Sequence, residues 1–186
     1  MSNKYKFGNN EKLYFISFSV VYWIDLFIRN DFKQILINSW NYCKKNKGLE
    51  IYGWCIMTSH VHMIIGSGQD NLSDIVRDMK RHTSQQLKEA IMHHPQESRK
   101  QWMLWMKQRA GKRNGNNANF QLWQQDNHPI ELNTHQILHQ KLDYIHNNPI
   151  EAGFVEKPED YLYSSARNYY GLSSMMDVIL IDPLVV

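Results

Sequence analysis

LEIYGWCIMTSHVHMIIG, residues 49–66, decides the fold: two apolar runs of strand length flank Thr58 and Ser59, a connection short enough to read as a hairpin. The second run places His60 and His62 one residue apart, and alternate side chains of a strand point to the same face. Two neutral imidazoles held at a fixed separation are a start on a divalent metal site. The same spacing suits a hydrogen-bonded polar pair at a strand end. With 9 His in 186 residues the spacing can arise by chance, so its surroundings carry the weight.

Working outward, LYFISFSVV from Leu13 to Val21 predicts a first strand, rich in aromatic and β-branched residues. From Asp31 to Lys47, Phe32, Ile35, Leu36, Trp40 and Cys43 recur at helical spacing, with lysines 44, 45 and 47 in the last turn and Gly48 just beyond it. A second helix is predicted from Leu72 to about Ile91, capped by Asn71 and followed by Pro95. The Gly/Asn-rich GKRNGNNAN reads as a loop, and FQLW from Phe120 as a short last strand. Thr134 opens a third helix with Ile137, Leu138, Leu142 and Ile145 facing inward, closed at Asn148-Pro149.

The order β-α-β-β-α-β followed by a helix predicts an α+β fold of the ferredoxin-like kind. One antiparallel sheet has helices on one face, with its other face open to a ligand or partner, plus a C-terminal helix and tail. No repeat interrupts the chain, so one domain over 1–186 is expected, with its core at about 13–150. The extension 151–186 carries YLYSSARNYY and MDVILIDPLVV, which would pack on the core or on a second subunit.

The 42% hydrophobic and 21% charged content excludes a disordered chain, and a net charge of +3 permits a nucleic-acid partner without requiring one. Cys43 and Cys55 form no Cys-x-x-Cys, which favours a reduced, cytoplasmic protein. MSNKYKFGNNEK lacks the apolar stretch of a signal peptide, and no run reaches the roughly 18 apolar residues of a membrane helix, so no membrane partner is expected.

Charge is local. Arg99, Lys100, Lys107, Arg109, Lys112 and Arg113 occur in a stretch without a carboxylate, interleaved with Trp102 and Trp105. Such cations can track phosphates and such indoles can stack on unpaired bases, although Trp102, Trp105 and Met106 at helical spacing also suit a core. Lys80 and Arg81 join the DNA-binding candidates, with a solvated helix face as the alternative. His135 and His139 lack the Glu of a His-Glu-x-x-His site and read as surface residues, and His93-His94 as a helix end.

Four segments together carry a family resemblance: CIMTSHVHMII, LSDIVRDMKRHTSQQL, LDYIHNNPIEAGFV and YLYSSARNY. Over about residues 13–170 the chain resembles the REP-associated, single-tyrosine transposases of the HUH superfamily. The resemblance implies a domain that binds single-stranded or hairpin DNA, with His60 and His62 holding magnesium or manganese beside the scissile phosphate. It implies nicking and joining of one strand through a 5′-phosphotyrosine. Relatives occur as monomers or dimers, which leaves a homodimer open.

One position departs from the family pattern. In the family the nucleophilic tyrosine lies 17 residues ahead of the tyrosine of DYIHNNP; here that tyrosine is Tyr144 and the position holds Asn127. Glu131, four residues further on, falls where relatives can carry a third metal ligand, and a carboxylate suits magnesium. Pro129 between them disfavours a regular helix there. Tyr144 is then the catalytic candidate only if its helix turns it toward the histidines; the resemblance implies this tyrosine in addition to the nucleophile, so a structural role is expected of it, and Tyr161, Tyr163, Tyr169 and Tyr170 lack positional support. A metal-activated water, or a DNA-binding protein of the same fold with impaired chemistry, are the alternatives. An RNA-binding reading is opposed by the absence of an aromatic RNP signature.

Overall fold

The computed structural model describes residues 7–8, 12–68, 71–114, 119–125, 127 and 129–181. Its elements run β1 (Tyr14–Ser19), α1 (Asn30–Lys47), β2 (Leu49–Ile56), β3 (His60–Ser67), α2 (Leu72–His93), α3 (Lys100–Lys112), β4 (Ile130–Glu131), α4 (His135–Glu151) and α5 (Ala166–Tyr169). Short 3₁₀ turns stand at Val21–Trp23 and Pro158–Asp160. The strands form one antiparallel sheet in the order β2-β3-β1-β4, the ferredoxin-like arrangement.

Side-chain alternation along β1 explains why the sheet is covered on both faces. Tyr14, Ile16 and Phe18 enter a large core with Leu36, Trp40, Ile75, Val76 and Met79 of α1 and α2. Phe15 points the other way and packs with Cys55, Ile64, Leu138, Leu142 and Ile145. The second face is therefore not open, as the sequence suggested, but half covered by α4. The strands carry apolar residues on both faces, and each set must leave water. Gly53 permits the close approach of α4, since a Cβ there would lie 2.8 Å from Leu142 Cδ1. A register shift between Ile51 and Gly53 marks a bulge at the same place.

Caps fall where the local chemistry places them. Gly48 ends α1 at φ 65°, its N–H donating to the Cys43 carbonyl. Asn71 Oδ1 accepts from the Ser73 N–H at 2.9 Å, and Thr134 Oγ1 from the Ile137 N–H at 3.2 Å. The third predicted helix does not close at Asn148-Pro149: α4 runs on to Glu151, with Pro149 inside it. The proline sits near the end, and the Ala152 N–H still donates to the Asn148 carbonyl at 3.0 Å.

Two further expectations change. The Trp-rich basic segment forms a helix, α3, and the loop reading of GKRNGNNAN fails at its start, because Gly111 and Lys112 are helical; 115–118 lie outside the described residues. FQLW makes only one bridge, Val20 to Trp123, and the fourth strand is Ile130–Glu131. The Trp123 ring turns into the core at 4.8 Å from Phe18 while its Nε1–H donates to Thr83 Oγ1 at 3.1 Å, which ties the segment down without a ladder.

The C-terminal extension closes the outer edge of β2. Ile56 N–H donates to the Tyr163 carbonyl, Ser165 N–H to the Trp54 carbonyl, and Ile179 N–H to the Ile51 carbonyl, each at 2.9 Å. His146 of α4 meets Ser165 Oγ at 2.8 Å, joining the DYIHNNP helix to the Tyr-Ser-Ser-Ala run. Residues 182–186 of the apolar tail lie outside the described residues. No helix among those described is long and apolar enough to cross a membrane.

Gly111 offers a test of the α3 assignment. A Cβ there would meet Phe120 N at 2.4 Å and the Asn119 carbonyl carbon at 2.8 Å, both backbone atoms. Gly111→Ala is expected to lower stability by about 2 kcal/mol, read as a lower urea midpoint at unchanged slope. An unchanged midpoint would mean that the 119–120 chain does not press on α3.

Candidate active site

On the α4 side of the sheet, the part that Leu138, Leu142 and Ile145 do not cover is polar, and it carries the histidines. Register sets Ser19 opposite His60 and Ser17 opposite His62. Both imidazoles project on the α4 side, as the alternation on β3 requires, with ring centroids 4.8 Å apart. His60 Nδ1 lies 3.2 Å from Ser59 Oγ, and the ring bonds the Asn148 side chain. His62 is 5% exposed, stacked on Phe15 at 5.6 Å and edged by Tyr144 at 5.1 Å.

Electrostatics keep this pair neutral. Burial, then the His60 charge and the Lys141 ammonium, push the His62 pKa down to about 3. Burial also lowers His60, opposed by the Asn148 hydrogen bond and the Asp25 charge. A neutral imidazole is the form that ligates a metal. Neither His62 nitrogen has a hydrogen-bond partner, an unusual condition for buried polar atoms. An ion accepting the single lone pair of the neutral ring would satisfy its unprotonated nitrogen, so the residues present fit a divalent cation at His60 and His62.

The structure gathers some predicted residues and separates others. Tyr144 does reach the histidines, and Lys141 lies over both its ring (5.6 Å) and that of Phe15 (5.0 Å). Asn127 is tied elsewhere: its backbone carbonyl accepts from Ser17 N–H at 3.0 Å, and its side-chain oxygen accepts from Lys80 Nζ at 2.6 Å, on the α2 side. Glu131 is not brought to the histidines. It pairs with Tyr14, whose side chain lies on the α1/α2 face, so alternation directs the carboxylate to the wrong side of the sheet. Among the described residues no three His, Cys, Asp or Glu side chains converge on a metal position.

Other tyrosines are occupied structurally. Tyr161 donates to the Ile56 carbonyl and Tyr169 to the Tyr52 carbonyl, both at 2.8 Å. Tyr163 lies under the Lys33 ammonium at 4.1 Å. Burial raises all three phenols. Tyr170 is exposed and lines a separate cleft with His139 and Asp143.

The basic candidates divide as well. Lys107 must be corrected: its ammonium lies on the buried stripe of α3 with Met103 and Ala110, without a hydrogen-bond partner, and burial, then the Arg99 charge, push it down to about 8. Arg99 holds buried Glu97 and reaches the Asp25 carbonyl, Lys80 donates to the Gln124 carbonyl and to Asn127 Oδ1, and Arg81 pairs with Asp78. Lys100 is half-buried at the start of α3. Trp102 and Trp105 are about half exposed rather than core, with Arg109 over the Trp105 ring at 5.4 Å. Lys112 and Arg113 are exposed.

Sequence reasoning passed over Phe15, Trp23, Lys141 and Asn148. Lys141, Tyr144 and Asn148 stand at i, i+3 and i+7, one stripe of α4, a signal present in the sequence. Trp23, edge-on to His60 at 5.4 Å, had no periodic signal.

Comparison with known proteins bears on this geometry. The profile of the family described as "Transposase IS200 like" matches residues 18–125. The structure is similar to that of a REP-associated tyrosine transposase bound to a REP hairpin, with 18% identity and a TM-score of 0.64 over 96% of this chain and 94% of that one. A protein assigned as a transposase from Deinococcus radiodurans R1 aligns at 18% identity and a TM-score of 0.43, over 76% of this chain and 96% of its own. No curated protein matches the sequence.

The depressed His62 pKa has a measurable sign. The folded state binds fewer protons than the unfolded one between about pH 3 and 6.5, so the stability is whole above pH 6.5 and declines as pH falls through that window. Between pH 6.5 and 5 His62 should cost about 2 kcal/mol. His62→Gln should lose about that much less than wild type over this interval in paired urea titrations. Equal losses would show that His62 is not held neutral.

Proposed function

The chain belongs to the IS200-like transposase family, and we propose that it binds single-stranded or hairpin DNA across the histidine face and nicks one strand with Tyr144 as nucleophile. The observation that carries this reading is the packing of the Tyr144 ring 5.1 Å from His62, on the one polar region of that face. The relative bound to a REP hairpin shares the fold, which supports a hairpin as ligand.

His60 and His62 would hold magnesium or manganese, which when bound offsets negative charge on a phosphoryl oxygen. The chain's own groups do the rest. Phe15 and Tyr144 wall His62 from water, and Asn148 and Ser59 fix the His60 ring. The Lys141 ammonium lies over the Tyr144 ring, and the phenol proton passes to water as the tyrosine oxygen bonds to phosphorus. The bond from phosphorus to the 3′ oxygen breaks, that oxygen takes a proton, and the 5′ phosphate stays on tyrosine. Joining is the reverse attack by a 3′ hydroxyl. Buried, unpaired Cys43 and Cys55 suit the reducing cytoplasm.

A second reading rests on Asn127. With an amide at the family's nucleophile position, engaged by Lys80, the protein would bind DNA and leave it intact.

Incubation of full-length protein with manganese and hairpin oligonucleotides from its own genomic flanks separates the two. Nicking predicts a covalent adduct on denaturing gels, abolished in Tyr144→Phe while hairpin binding persists, and lost in His60→Ala. Binding that survives His60→Ala, with no adduct under any metal, would establish the second reading.

A further inference from the structure

Tyr22 and Trp23 are consecutive aromatic residues at φ 60° and 54°, the only non-glycine positive φ values among the described residues. L side chains avoid this region, and such outliers persist only where their surroundings hold them. Here Val20 N–H donates to the Ser59 carbonyl and Val21 N–H to the Leu122 carbonyl, both at 2.8 Å, and Trp23 N–H to the Val20 carbonyl at 3.0 Å. The strain does not serve burial: Trp23 is 58% and Tyr22 44% exposed.

Two neighbours give this turn a direction. On one side Trp23 is edge-on to His60. On the other, a cleft of about 620 Å³ is lined by Tyr22, Trp23, Arg113, Gln121, Gln124 and Gln125. That volume lies within the about 300–1,000 Å³ of small-ligand clefts. Its chemistry is mixed: indole and phenol rings, one exposed guanidinium, and amide side chains, with no carboxylate in the lining.

We infer that this cleft takes an unpaired nucleobase next to the phosphate held at the histidines, stacked on Trp23 and Tyr22, with Arg113 on a neighbouring phosphate. Aromatic faces accept any base, a guanidinium suits phosphate, and exposed Gln125 can bond a base edge. A paired base has both faces stacked within its duplex, so the occupant is single-stranded. This inference rests on the DNA-binding reading above and assigns the part of the strand that flanks the reaction centre.

An abasic scan tests it without relying on any variant. Wild-type full-length protein is titrated by fluorescence anisotropy with hairpins whose single-stranded flanks carry one abasic residue at each position in turn. One position should weaken binding by about tenfold or more. Trp23→Ala should lose a similar factor on the intact flank and become insensitive to that abasic residue, whereas Trp23→Phe keeps most of the affinity. Arg113→Ala should weaken all sequences alike and reduce the salt dependence. Hairpin binding in which every abasic position is silent, or in which Trp23→Ala loses affinity without becoming insensitive, overturns the cleft assignment alone. No binding of any hairpin by wild type overturns the DNA-binding reading, and the cleft with it.

Discussion

The antiparallel pairing of β1 with β3, with Ser17 opposite His62 and Ser19 opposite His60, is the constraint on which the site depends. Strand side chains alternate, so a slip of one residue would drive both imidazoles into the apolar core beneath α1 and α2 and send Val61 and Met63 to the polar face. Burial of Ile16, Phe18, Val61, Met63 and Ile65 on the helix side holds the register. The same apolar packing that stabilises the fold therefore positions two neutral histidines at a fixed separation before any ligand arrives.

The remainder of the site follows from how the second face is shared. Leu138, Leu142 and Ile145 bury the apolar half, and the same helix then presents Lys141, Tyr144 and Asn148 at the border of the polar half. Packing against Gly53 fixes the height of α4 over the sheet. His62 is left among rings with both nitrogens unsatisfied, a condition that an apolar pocket tolerates poorly and that a cation would relieve at the unprotonated nitrogen.

Much of this was legible in the residues. Gly48, Asn71 and Thr134 act as caps where their chemistry predicted, and the alternation of HVHMII put both histidines on one face. What was not legible depended on long-range pairing. The place of Glu131 is decided by its register against Tyr14, and FQLW fails as a strand because Trp123 finds Phe18 and Thr83 instead. Lys107 looked like its basic neighbours, but the helix phase that exposes Trp102 and Trp105 turns Lys107 inward. The left-handed pair Tyr22-Trp23 has no glycine or asparagine to announce it.

Asn127 and Tyr144 define how this chain relates to its family's chemistry. The amide is drawn toward α2 by Lys80, while the Tyr144 ring stands beside His62. The nicking reading presupposes an ion at the pair. Pulsed electron paramagnetic resonance of manganese added to the purified protein tests that most directly. One bound ion with nitrogen couplings from two imidazoles, lost in His62→Ala, is the predicted result; a spectrum of manganese bearing no nitrogen coupling would contradict the account.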